Sequence, residues 1–155
     1  MRLPFLIFLL SFVGLVPFAF LGGSIFIGHL FAPQPHLMMA LLAYGACVLS
    51  FLGAVHWGLA MERPDIISNR TTSDLDRWRL IFGVCPAVLA WLSLYIGMVI
   101  NLRSGLTTEI LGFVAAYSVE KIGWKRGAVP QGYIRLRPAL TIGAVASLII
   151  ALLGT

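Results

Sequence analysis

Residues 37–61 read LMMALLAYGACVLSFLGAVHWGLAM, an unbroken run without Asp, Glu, Lys or Arg. About 20 consecutive apolar residues suffice to cross the hydrocarbon core of a bilayer as an α-helix. The run is too long for a buried strand, and only a helix satisfies every backbone N–H and C=O within one segment in lipid. The stretch therefore predicts a transmembrane helix, and the rest of the chain can be read against it.

Four further segments have the same character, over about 3–27, 79–100, 106–122 and 138–153. Together the five use up most of the 155 residues. Of the whole chain, 59% is hydrophobic and 11% charged, with a mean hydropathy of +0.95. Soluble domains run near 45–50% apolar and about 25% charged, so a water-soluble domain is excluded. Disorder, which needs low hydrophobicity, is excluded as well. The fold class expected is an all-α polytopic membrane helix bundle of five transmembrane helices in a single domain over 1–155. The first apolar run is longer than a signal-peptide core and has no clear small-x-small cleavage site, so it reads as an uncleaved first helix.

Punctuation sets the boundaries. Pro17 lies inside the first span and predicts a kink there. Pro33, Pro35, His29 and His36 mark a loop. Pro64 closes the second helix, and Ser73 with Asp76 three residues on predicts an N-terminal cap. Pro86 predicts a bend in the third helix. Gly123 to Arg137 reads as a basic loop, with Pro138 in the first turn of the last helix. No internal repeat is present, so an inverted-repeat transporter has no support.

Five spans put the N-terminus and the loops after helices two and four on one side. Ten of the eleven Lys and Arg residues fall there, with Arg103 alone opposite. Basic residues concentrate in cytoplasmic loops, so the N-terminus is expected in the cytoplasm and the C-terminus outside. The net charge of +5 is explained by topology and does not call for a nucleic acid partner.

Lipid tails give helices no hydrophobic reason to associate, so packing falls to small residues and interhelical hydrogen bonds. Small residues recur every fourth position as Ala46, Ser50, Ala54 and Gly58, as Gly112 and Ala116 in helix four, and as Gly143 and Ser147 in helix five. The expected use is packing within the bundle; helix five, terminal and free of ionisable groups, is the face to offer a partner subunit.

Ionisable groups at membrane depth are costly and mark candidate sites. His56 is one, readable as a haem ligand, proton carrier or quinone contact, or as an imidazole hydrogen-bonded to a neighbouring helix. Glu109, Phe113, Tyr117 and Glu120 line up along helix four, with the two acids about 16 Å apart by helix rise. His56 and Glu120 lie at similar depth and are expected to meet. Arg126, Tyr133, Arg135 and Arg137 form a basic and aromatic loop suited to anionic lipid headgroups or a partner. Cys47 and Cys85 both fall within spans and are not expected to pair. No catalytic constellation, metal-ligand set or phosphate loop is present, so no catalytic residue, metal or cofactor is assigned.

Beyond these readings, Tyr44 to Gly58 resembles the signature of a small multi-pass membrane family of unknown function, typified by transmembrane protein sixty-nine. Gly14 to Phe18, Pro86 with Ala90-Trp91, and Arg126-Gly127, Pro130, Tyr133, Leu136-Arg137 and Thr141 are similar to its other segments. The resemblance implies a bacterial inner membrane, or alternatively a mitochondrial inner membrane, and implies no catalytic residue. The expected function is a non-enzymatic accessory or assembly component of a membrane complex, in contact with the bilayer and other membrane subunits. The alternative is a small channel or transporter with a polar path through His56, Tyr117, Glu109 and Glu120; a redox module around His56 ranks third.

Overall fold

A computed structural model describes residues 5–28, 32–62 and 74–155, and within them the structure is helical, with no strand. Helix α1 is Phe5–Val13, α2 Val16–Ile27, α3 Gln34–Met61, α4 Asp74–Val99, α5 Leu102–Lys125 and α6 Gln131–Leu153. Sequential neighbours pack together from α2 to α6, and α6 returns against α2, closing a ring that α3 and α5 bridge across the middle.

The first span is interrupted at Gly14-Leu15, ahead of Pro17, which sits in the first turn of α2. A proline lacks its N–H and its ring clashes with the carbonyl four residues earlier, so the discontinuity falls N-terminal to the ring. The break leaves the Gly14 carbonyl to accept the Tyr44 hydroxyl of α3, at 2.8 Å. At the other end, Gly28 takes φ 109° and its N–H bonds the Ser24 carbonyl, ending α2 in a left-handed conformation that glycine adopts without strain.

Two further boundaries differ from expectation. α5 begins at Leu102, where the Asn101 side chain accepts the Ser104 N–H at 2.8 Å. That is a local cap, and it adds a turn to a helix expected to start near residue 106. α6 begins at Gln131, two turns before Pro138, which lies inside it. The sequence reading placed Arg135 and Arg137 in a loop because they are charged; in the structure they belong to the first turns of a helix. The Ser73 cap, Pro64 and His29 lie outside the described residues, while His36 is exposed on the first turn of α3.

Among the described residues, four candidate spans are long and apolar enough to cross a membrane: Phe5–Ile27 (α1 with α2), Gln34–Met61, Asp74–Val99 and Gln131–Leu153. α5 is long enough, but its charged residues leave it outside the four. Four of the five expected spans thus meet that test, while α5 carries Arg103, Glu109, Glu120, Lys121 and Lys125 within 24 residues. Large side chains such as Phe51, Ile81, Trp91 and Leu111 cover the outside of the bundle, each more than 60% exposed. Apolar outer surface on that scale is that of a bundle solvated by lipid rather than water.

Backbones approach most closely at small residues. A Cβ on Gly53 would strike the Gly83 carbonyl between α3 and α4, and one on Gly22 would come within 2.6 Å of the Ser147 carbonyl between α2 and α6. The small-residue faces are thus largely used inside the chain. Gly143 meets Leu15, Gly112 meets Leu49, Ala46 and Ala116 are buried, and the Ser50 hydroxyl turns back to the Ala46 carbonyl. Ala54 and Gly58 alone of those named face outward, which moves the open small-residue face from the last helix to α3.

Candidate functional site

The polar groups of the bundle interior concentrate at one end, where α3, α4, α5 and α6 meet. Glu120 of α5 is fully buried. It is there because α5 turns one face inward, Glu109, Gly112, Phe113, Ala116 and Glu120, at the three- and four-residue spacing of a helix face. Arg137 Nε donates to Glu120 Oε2 at 2.5 Å, and the Tyr133 hydroxyl donates to Oε1 at 3.1 Å. Tyr133 and Arg137 are four apart on α6, so they present a single face to the acid. The guanidinium also lies over the Tyr133 ring, 5.7 Å from its centroid. Both charged side chains are almost wholly out of solvent; such a pair holds together only when its partners satisfy it.

His56 sits beside this pair, close enough for Glu120, Arg137 and Arg79 to act on it electrostatically. It does not bond Glu120. Its Nδ1 lies 3.1 Å from the Leu52 carbonyl of its own helix. A carbonyl only accepts, so Nδ1 carries the proton, and Nε2 has no partner among the described residues. Aromatic rings enclose it edge-on: Phe82 at 4.7 Å, Trp78 at 5.9 Å and Tyr133 at 6.4 Å between centroids. Trp78 stacks on Phe82 at 5.1 Å and presses on Gly123, so it forms an inner wall in addition to any interfacial role.

Toward the α5–α6 turn, Arg79 and Asp76 form a second buried pair at 3.2 Å on α4. Arg79 Nε also donates to the Ala128 carbonyl at 2.8 Å, which ties the turn between α5 and α6 to α4. Gly127 supplies the positive φ, 77°, that this turn requires.

Glu109 lies eleven residues from Glu120 on the same inward face. It too is fully buried, yet neither carboxyl oxygen has a partner among the described residues. Its carboxyl lies flat on the backbone of Gly45, where an added Cβ would sit 2.5 Å from Oε2. Phe113 and Ala116 fill the interval between the two acids, with the Phe113 ring edge-on to Phe18 at 5.9 Å. Tyr117 departs from the expected line: it is half-buried on the flank of α5, in a shallow cleft with Lys121 and Trp124. Of the four residues read as one loop patch, Arg126 and Arg135 are exposed, whereas Tyr133 and Arg137 turn inward to Glu120. Cys47 and Cys85 are free thiols on the outer surface. Among the described residues no three His, Cys, Asp or Glu side chains gather as a metal site.

Residues 3–153 match the family model described as "Protein of unknown function (DUF3429)". The chain belongs to this family. It is 31% identical over 146 residues to "Transmembrane protein 69" of Xenopus tropicalis, an alignment that covers 94% of this chain and 53% of that relative. The chain therefore spans about half the length of the relative it matches. No solved structure matches. The family resemblance read from the sequence is thus borne out over most of the chain, and the family is one of membrane proteins without an assigned function. Within this DUF3429 chain, Tyr44 to Gly58 of α3 makes several of the interior contacts. Tyr44 holds the break in the first span, Gly45 lies on Glu109, Gly53 meets Gly83, and His56 enters the aromatic cage.

Sequence reasoning missed the Glu120–Arg137–Tyr133 cluster as a unit. One signal for it was present: Tyr133 and Arg137 are four apart, and a buried acid demands a partner. The pairing became visible only once α6 was seen to begin at Gln131.

Proposed function

We propose that the chain is a non-enzymatic multi-pass component of a membrane complex, with an accessory or assembly role. It crosses the membrane five times, α5 being the fifth span. Its N-terminus is cytoplasmic and its C-terminus external, in the bacterial inner membrane or, alternatively, the mitochondrial inner membrane. The five-span reading is supported by the packing of α5 against α3, α4 and α6, with both carboxylates turned inward. The orientation is supported by the exposed cations Lys121, Lys125, Arg126 and Arg135 around the α5–α6 turn, away from Arg103.

The observation that carries the accessory reading is the filled interval between Glu109 and Glu120. Phe113 and Ala116 occupy it, and Glu120 is already taken by Arg137 and Tyr133. A polar conduit through the described residues is therefore interrupted, while the outer surface stays apolar and available to lipid and neighbouring subunits. Purification of the tagged chain from its native membrane in mild detergent, followed by mass spectrometry, tests this reading. Stoichiometric partner subunits are expected; a chain recovered alone under several detergents overturns it.

A transport reading keeps one observation in its favour, the Glu109 carboxyl without a partner among the described residues. Proton or cation flux into proteoliposomes that is abolished by Glu109→Gln would establish it. Flux equal to that of empty liposomes removes it.

A further inference from the structure

A cleft of about 440 Å³ opens on the side of the bundle where the break between α1 and α2 faces α3, α5 and α6. That size falls in the range of small-molecule sites, about 300–1,000 Å³. Its wall on α3 runs from Tyr44 to Val55, about 16 Å by helix rise. Most of the lining is apolar, and much of it aromatic: Phe18, Tyr44, Phe51 and Phe113. On α6, Tyr133, Arg137 and Thr141 interrupt it at successive turns, and the Tyr133 hydroxyl is already given to Glu120.

Arg137 and Thr141 are buried, to 2% and 6% exposure. Both hold an atom without a partner among the described residues, Arg137 Nη2 and Thr141 Oγ1. The threonine is unlike its counterparts. Ser11, Ser24, Ser50, Ser118 and Ser147 each turn the hydroxyl back to the carbonyl four residues earlier, at 2.7–2.9 Å. An unmade hydrogen bond at a buried group is costly, so two donors left open beside one cleft call for an acceptor within it.

The charge balance selects the kind of acceptor. Glu120 already neutralises Arg137. An anionic head would add an unbalanced charge in a low-dielectric site, whereas a neutral carbonyl satisfies both donors at no such cost. The ring-lined walls suit a planar head, because aromatic systems pack edge-on or offset at centroid distances near 4.5–7 Å. The remaining apolar wall, open laterally toward lipid, suits a hydrocarbon tail.

We propose that this cleft binds a lipid-soluble quinone, with one ring carbonyl accepting from Arg137 Nη2 and Thr141 Oγ1 and the tail leaving toward the bilayer. The site stands apart from the partner contacts proposed above: quinone binding without co-purifying subunits, or the reverse, separates the two.

Equilibrium binding of radiolabelled decylubiquinone to the full chain in phosphatidylcholine nanodiscs tests the site, with empty discs as the blank. Saturable binding near one per chain is expected. Thr141→Val removes a donor and keeps the shape; it is expected to weaken binding about 3- to 10-fold, the worth of one hydrogen bond. Val48→Trp fills the cleft from α3 and is expected to abolish binding; if it does not fold, Thr141→Val decides alone. Binding no greater than in empty discs overturns the proposal, as does binding unchanged in Thr141→Val. Displacement by palmitate or phosphatidylglycerol as effective as by unlabelled decylubiquinone also overturns it, assigning the cleft to a general lipid tail.

Discussion

Glu109 and Glu120 are the same residue, on the same face of the same helix, and both are fully buried. They have opposite surroundings. Glu120 receives a guanidinium and a phenol from α6, beside a histidine caged by three aromatic rings. Glu109 lies against the bare backbone of Gly45, with no partner among the described residues. The difference is set by what faces α5 at each level. At the upper level α6 presents Tyr133 and Arg137; at the lower level α3 presents a glycine. One acid is therefore part of the architecture, whereas the other is held in place at a cost.

The largest expected effect comes from opening the partnered end. Arg137→Ala leaves Glu120 buried and uncompensated and is expected to destabilise by about 3–5 kcal/mol, read as unfolding of the purified chain in detergent micelles. A loss below about 1 kcal/mol would mean that Glu120 is not held by this pair.

At the other end, Gly45→Ala drives a Cβ into the Glu109 carboxyl and is expected to cost about 1–3 kcal/mol, the range for overpacking. Combining it with Glu109→Ala removes the obstacle, so the two costs should fail to add. Additive effects would place the carboxyl elsewhere.

Glu109→Leu sharpens the contrast in the opposite direction. It replaces an unpartnered polar group by an apolar one of similar size and is expected to stabilise by about 1–3 kcal/mol. Glu120→Leu, which strands Arg137, is expected to destabilise. The same sign for both substitutions would erase the distinction between the acids.

The smallest effect belongs to Tyr133→Phe. Glu120 keeps its bond to Arg137, so only one hydrogen bond is lost, worth about 1 kcal/mol, in the same unfolding assay.

Much of the frame was legible beforehand. The apolar runs located the helices, Pro17 forecast a break in the first span, and the family resemblance held over most of the chain. The beginning of α6 was not legible, because Arg135 and Arg137 look like loop residues to any reading that cannot see their partners. Tyr117 was placed on the wrong flank for a related reason. Eight residues of helix accumulate about 80° of rotation at 3.6 residues per turn, enough to carry a side chain off the face that Glu109 and Glu120 share.

By itself the sequence determined what depends on position along the chain. That includes which segments are apolar for long enough to cross a bilayer and how unequally the basic residues are distributed along the chain. Lipid enforces helix wherever the apolar run is long enough. Only the tertiary structure decided which groups meet. Contacts depend on how each helix is rotated and which neighbour it faces, and here these are set by small residues that let backbones touch, as at Gly53 with Gly83 and Gly22 with Ser147. That packing gave Glu120 its arginine and left Glu109 on a glycine.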